Sequence, residues 1–166
     1  HLRTRRQRQM CIRDSVPALP YRDPGNYIRV SQSMALEMQK KPNSNVVWAN
    51  QFDNIANKNG HFSSTGPEIW KQTKGKIDGF ICAVGSGGTI AGVGSYLKTC
   101  NENIAIGLAD PLGSALFNYY QKGEFKSVGN SISEGIGQGR ITENLKGFKP
   151  DYCFQISDEV ALPILY

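Results

Sequence analysis

The chain is poor in the residues that build metal and thiol chemistry. It has two histidines and four cysteines in 166 residues. Cys11, Cys82, Cys100 and Cys153 form no C-x-x-C pair, and no histidine stands at zinc spacing from them. A structural zinc site of the usual kinds is therefore excluded. Cys82 and Cys153 lie in apolar, strand-like runs, which reads as free thiols kept reduced. No credible signal peptide precedes them, so the expected location is the cytoplasm. The chain also lacks any apolar run near the roughly 18–20 residues that a membrane span needs. Its 39% hydrophobic content excludes a disordered or collagen-like chain.

Acidic residues are outnumbered, with 14 against 19 basic ones and a net charge of +5. That excess first suggests an anionic partner such as nucleic acid. The excess is local, however. Residues 1–14 hold five of the eight arginines and a single acid, Asp14, which leaves 14 basic and 13 acidic groups for the rest. This tail could be a nucleic-acid-binding arm or a transit peptide. The third reading is favoured: Arg5 to Asp14 match the translation of a transposase sequencing adapter, so residues 1–14 are set aside as a non-native tail. Without them the body is nearly neutral, and neither nucleic acid nor a membrane is an expected partner.

From Val16 onward, strand-like and helix-like patterns alternate. Residues 30–40 read as a helix, with Val30, Met34 and Met38 on one face. Residues 46–49 read as a short buried strand and 50–60 as a loop. A helix should follow around residues 63–73, where Thr65 and Glu68 have capping-box spacing and Pro67 suits a first turn. Residues 77–84 read as a strand covered on both faces. The helix after Thr89 places Ile90, Val93 and Leu97 on one side. Strands at 104–109 and 151–156 and a helix near 114–121 continue the alternation. Ser157 looks like an N-cap, with Asp158 and Glu159 in the first turn of a last helix. Repeated β-α units predict an α/β fold, a parallel twisted sheet with flanking helices.

The most informative local feature is Gly85-Ser86-Gly87-Gly88-Thr89, which joins a predicted strand directly to a predicted helix. Backbone N–H groups beside a helix dipole, with two hydroxyls, suit a phosphate group. A tight packing turn is the plainer alternative. A Walker A loop is excluded because no lysine follows. A dinucleotide fingerprint fits at Gly85 and Gly87 but meets Ile90 where its third glycine belongs. Asp110, at the end of the next strand, would be its ribose-binding acid, or the start of a turn.

Four collinear segments resemble fold-type II pyridoxal phosphate enzymes, and specifically the cysteine synthase (O-acetylserine sulfhydrylase) family. These are V-G-S-G-G-T at 84–89, N-Q-F-D-N-I-A-N at 50–57, T-G-P-E-I-W at 65–70 and G-I-G-Q-G at 135–139. One departure is Ile55, where many members have proline. The resemblance implies that Gly85, Ser86, Gly87, Gly88 and Thr89 hold the phosphate of pyridoxal 5'-phosphate. It implies that Gly135, Ile136 and Gly137 line the cofactor ring, and that Gln51 donates an amide hydrogen bond to the substrate carboxylate. An amide binds a carboxylate without adding a titrating group. His61 reads as a structural residue.

The implied reaction makes L-cysteine and acetate from O-acetylserine and sulfide, by elimination to an aminoacrylate and addition of sulfide. A homodimer, and association with serine acetyltransferase, are implied for the whole enzyme. Members carry a Schiff-base lysine in an S-x-K-D-R-like motif, and none of this chain's lysines lies in one. No catalytic residue is therefore expected here, and the chain reads as an inactive central part of a subunit. Residues 15–50 would end a smaller N-terminal domain, and 51–166 would belong to the larger cofactor domain. Other fold-type II enzymes (cystathionine β-synthase, serine or threonine dehydratase) and a non-catalytic nucleotide-binding module remain the alternatives.

Overall fold

In the computed structural model, residues 14–165 are described. The basic segment before Asp14 lies outside them. The chain divides into two compact units, His1–Asn50 and Gln51–Tyr166.

Among its described residues the first unit has one helix, α1 (Tyr27–Gln39). Asn26 caps it, its side-chain oxygen accepting from the Ile28 N–H at 3.0 Å. This start is three residues earlier than the apolar spacing indicated, because the cap and not the first apolar residue sets it. Of the face expected to be buried, Met34 and Met38 remain exposed, and Ala35 is the buried residue of this helix. The expected strand at 46–49 is not formed. Val47 is 85% exposed, and no described segment pairs with it. Apolar residues alone do not make a strand without a ladder partner.

The second unit opens with a continuous helical run: α2 (Ala56–Gly60), a π-helical turn (His61–Thr65) and α3 (Gly66–Gln72). The loop expected at 50–60 is therefore helical from Ala56. The capping box is overturned too. Thr65 already has helical φ/ψ and makes no cap bond; its hydroxyl faces His61 instead.

Three parallel strands follow in the order β1 (Gly79–Ala83), β2 (Ala105–Pro111), β3 (Tyr152–Ile156). Between them run α4 (Gly88–Cys100), α5 (Leu116–Lys122) and a 3-10 turn at Glu143–Leu145, and α6 (Asp158–Leu165) comes last. Ile90, Val93 and Leu97 of α4 pack in one cluster with Ile106 and Leu108 of β2, and with Leu116 and Leu145. Each of these seven side chains is at most 2% exposed. Burying a Leu or Ile contributes about 1.5–3 kcal/mol, so this layer fixes how α4 meets the sheet.

The opposite sheet face corrects the expectation for β1. Ile81 of β1 and Tyr152 of β3 are each 58% exposed, and Phe154 of β3 is 47% exposed. They neighbour Gly107 and Ala109 on the same face of the sheet. The alternation of the strands is thus half-covered rather than sandwiched.

Candidate cofactor site

β1 ends at Ala83 and α4 begins at Gly88, so the glycine loop fills the turn at the carboxyl edge of the sheet. Gly87 is the N-cap residue, with φ +85°, and makes no side-chain cap bond. The first N–H groups of a helix have no intrahelical partner. The Gly88 N–H donates to Ser86 Oγ at 3.4 Å, and the Thr89 and Ile90 N–H groups that follow are available to an external anion. Two of its glycines cannot take a side chain. A Cβ at Gly87 would overlap Leu145, and one at Gly88 would overlap the Asn57 amide.

Both hydroxyls of the loop are held from behind. Ser86 Oγ accepts from Asn57 Nδ2 at 2.8 Å, which leaves its own hydrogen free to donate. Thr89 Oγ1 lies 3.1 Å from His61 Nε2, and His61 Nδ1 lies 2.9 Å from Thr65 Oγ1. With the proton on Nε2, His61 donates to Thr89 and accepts from Thr65, and the Thr89 hydrogen is free to point at a phosphate. Gly92 makes this possible. A Cβ there would overlap the Lys58 carbonyl and crowd His61, so glycine lets α4 approach α2 and the π turn closely.

The second glycine loop lies directly against the first. Gly137 N–H donates to the Val84 carbonyl at 2.8 Å, and a Cβ on Gly85 would come within 2.5 Å of the Gly135 carbonyl. Gly135 and Gly137 have φ of +81° and +86°, a region that glycine enters freely. Buried Ser114 fastens this loop, accepting from Gln138 N–H at 2.9 Å and donating to the Gln138 carbonyl at 3.1 Å. A cavity of about 320 Å³ lies between Pro111–Ser114 and the 129–139 segment, and one of about 180 Å³ adjoins Ala83, Ala109, Asp110 and Ile156. Ile136 lines both. They open at the carboxyl ends of the strands, where α/β sheets bind ligands.

Gln51 is brought to the same region by its backbone. Its carbonyl accepts from Asn57 Nδ2 and Asn144 Nδ2, each at 2.9 Å. Asn144 is fully buried and satisfied, donating also to the Phe52 carbonyl and accepting from Lys58 N–H. Thr142 Oγ1 donates to the Ser86 carbonyl at 2.7 Å. Asp53 pairs bidentately with Arg140, both contacts being 2.8 Å, and accepts from Glu143 N–H. The Arg140 guanidinium holds the Asp53 carboxyl below its usual range, against the opposing effect of partial burial. Sequence reading missed Asp53, Arg140, Thr142 and Asn144. The last three follow the second glycine loop, and that position was the one signal available.

Asp110 is not placed to hold a ribose. It is fully buried, and its Oδ2 accepts the Phe117 N–H of α5 at 2.8 Å. Burial pushes its carboxyl up, so a charged acid facing a sugar is not what this environment favours.

The loops fit a pyridoxal phosphate. A helix N-terminus with two oriented hydroxyls suits a phosphate, and the cavities lined by Ile136 of the neighbouring glycine loop suit a ring. No lysine lines either cavity.

Comparison with known proteins agrees. The chain is 46% identical to cysteine synthase 1 of Neurospora crassa over 91% of its length, covering 40% of that protein. It is 36% identical to cysteine synthase 2 of Schizosaccharomyces pombe over 89% of its length, covering 41% of that protein. Among solved structures, O-acetyl serine sulfhydrylase isoform 3 of Entamoeba histolytica matches 79% of the chain and 36% of its own, with TM-score 0.64 and 30% identity. The O-acetylserine dependent cystathionine beta-synthase of Helicobacter pylori matches 79% of the chain and 40% of its own, with TM-score 0.63 and 29% identity. The chain thus spans about 40% of the length of these relatives. The family profile "Pyridoxal-phosphate dependent enzyme" matches residues 18–162, and the chain belongs to that family.

Proposed function

We propose that this chain is a segment of a cysteine synthase, which forms L-cysteine and acetate from O-acetyl-L-serine and sulfide. The observation that carries the reading is the 46% identity to a cysteine synthase along 91% of the chain. The meeting of Gln51 and the two glycine loops in one region supports it.

When bound, pyridoxal phosphate supplies the electron sink for the chemistry. The chain's own residues bind and orient. The first-turn N–H groups of α4, with Ser86 and Thr89, hold the phosphate. Residues 135–137 wall the cofactor ring. Gln51 donates its amide to the substrate carboxylate, so the amino acid is fixed at one end while the other reacts. The segment alone is inactive, because no lysine of it lies in an S-x-K-D-R-like motif.

In the same reading, residues 15–50 belong to the smaller domain and residues 51–166 to the phosphate-binding one. The whole enzyme is a homodimer able to associate with serine acetyltransferase. It works in the cytoplasm, which suits the free thiols Cys82, Cys100 and Cys153.

The test is an assay of the full-length protein with O-acetylserine plus sulfide, run beside serine plus homocysteine. Cysteine formation as the faster reaction is expected. Preference for the second pair would replace the reading with a cystathionine β-synthase.

A further inference from the structure

The Asp53–Arg140 pair and Asn144 belong to neither glycine loop, yet they converge on the stretch that carries Gln51. Arg140 and Asn144 lie just after the second glycine loop, and they reach back over 80 residues to Asp53, Gln51 and Phe52. Asn144 holds the Gln51 and Phe52 carbonyls from one side, and Asn57 holds the Gln51 carbonyl from the other. Asn57 also holds Ser86, so the Gln51 backbone and the phosphate loop share one amide. The bidentate pair fixes Asp53 two residues from Gln51, and the Glu143 N–H adds a third bond to the same carboxylate. The two side chains are only about a quarter exposed, at 26% and 23%. Such a fork fixes geometry as well as charge.

We infer that Arg140, through its bidentate contact with Asp53, is a positioning residue that sets Gln51 for the substrate carboxylate. The Asp53 carboxylate is tied to the Arg140 guanidinium and the Glu143 N–H on the Gln51 side of the site, so the effect expected is on amino-acid binding rather than on cofactor retention. Ordering Gln51 in advance removes a cost that each binding event would otherwise meet. This inference rests on the reading of Gln51 given above.

The experiment is a double-mutant cycle in the full-length holoenzyme, with Arg140→Met, Gln51→Ala and the double variant. KM for O-acetylserine, kcat and bound pyridoxal phosphate are measured for each. Arg140→Met is expected to raise KM roughly five-fold, with kcat and cofactor content little changed, as for loss of uniform binding. In the Gln51→Ala background it should add nothing, because the residue it positions is gone. Asp53→Asn, which keeps an acceptor for Glu143 N–H, should raise KM similarly and guards against a folding defect in the arginine variant. If Gln51→Ala raises KM and Arg140→Met raises it further by its full factor, the positioning role is wrong. Loss of cofactor in Arg140→Met and Asp53→Asn alike would also overturn it. If Gln51→Ala leaves KM unchanged, the carboxylate reading of Gln51 falls, and this inference with it.

Discussion

His61 Nε2 lies 3.1 Å from the hydroxyl oxygen of Thr89, the residue that closes the first glycine loop. The ring is oriented from its other side by Thr65 at 2.9 Å. His61 therefore sets which way the Thr89 hydrogen points. His61→Phe should weaken pyridoxal phosphate binding about ten-fold, the scale of one lost hydrogen bond. It should leave the affinity for dephosphorylated pyridoxal unchanged. Fluorescence titration of the cofactor-free full-length protein measures both, and an equal loss for the two ligands would contradict the orienting role.

Two helical glycines should respond in opposite directions to alanine. Gly60 is helical and nothing lies within 4 Å of an added Cβ, so Gly60→Ala should stabilise by about 0.5–1 kcal/mol. At Gly88 the Cβ would overlap the Asn57 amide that also holds Gln51 and Ser86. Gly88→Ala should cost about 1–3 kcal/mol, as overpacking does. Urea midpoints of the two variants decide the matter; a stabilised Gly88→Ala would mean that the loop has room to spare.

Acid should loosen specific ties. Arg140 and the Glu143 N–H hold the Asp53 carboxyl low, and Lys98 and the Ile106 N–H hold that of Asp151 low. A carboxylate with a depressed folded-state pKa contributes stability that is present above its unfolded value, here 3.8. That contribution is lost as pH falls through the folded value. Asp110 runs the other way, since burial raises it and its charged form is disfavoured in the fold. Its contribution is present at low pH and is lost as pH rises through the raised value. Asp53→Asn and Asp151→Asn should flatten the fall in stability below about pH 4, and Asp110→Asn should raise stability at pH 7 relative to pH 4. Denaturation midpoints from pH 7 to pH 3 give the sign of each effect, and an unchanged acid limb in Asp53→Asn would reject the assignment for that residue.

The open sheet face should be sticky. Ile81, Tyr152 and Phe154 stand exposed on one side of three parallel strands. Contiguous apolar surface of this kind promotes association. The isolated 166-residue chain should bind a hydrophobic dye and self-associate, and Ile81→Thr with Phe154→Thr should reduce both. Light scattering of the two samples checks this; a monodisperse parent chain would count against it.

How much of this could be read in advance varied by element. The α4 stripe was legible because Ile90, Val93 and Leu97 repeat at helical spacing and all three meet the sheet. The 46–49 strand misled, because Val46 and Val47 satisfy local preference while a ladder partner is a tertiary matter. Residues 56–60 misled in the other direction. Asn57, Asn59 and Gly60 favour turns, yet the close approach of α4 at Gly92 holds them helical. The glycine loops of the site were visible as patterns. The side chains that join them were not, since nothing local marks Asn144 as buried or pairs Asp53 with Arg140 across 87 residues.

The central claim is that residues 85–89 hold the phosphate of pyridoxal phosphate. The most direct measurement compares pyridoxal phosphate with pyridoxal in equilibrium titration of the cofactor-free full-length protein. The account predicts that the phosphate contributes a factor on the order of 100 in affinity, as charge-assisted hydrogen bonds from a helix N-terminus and its hydroxyls can, and that about ten-fold of it, the hydroxyls' share, disappears in Thr89→Val with Ser86→Ala. Equal affinities for the two ligands, or a phosphate preference untouched by those substitutions, would contradict it.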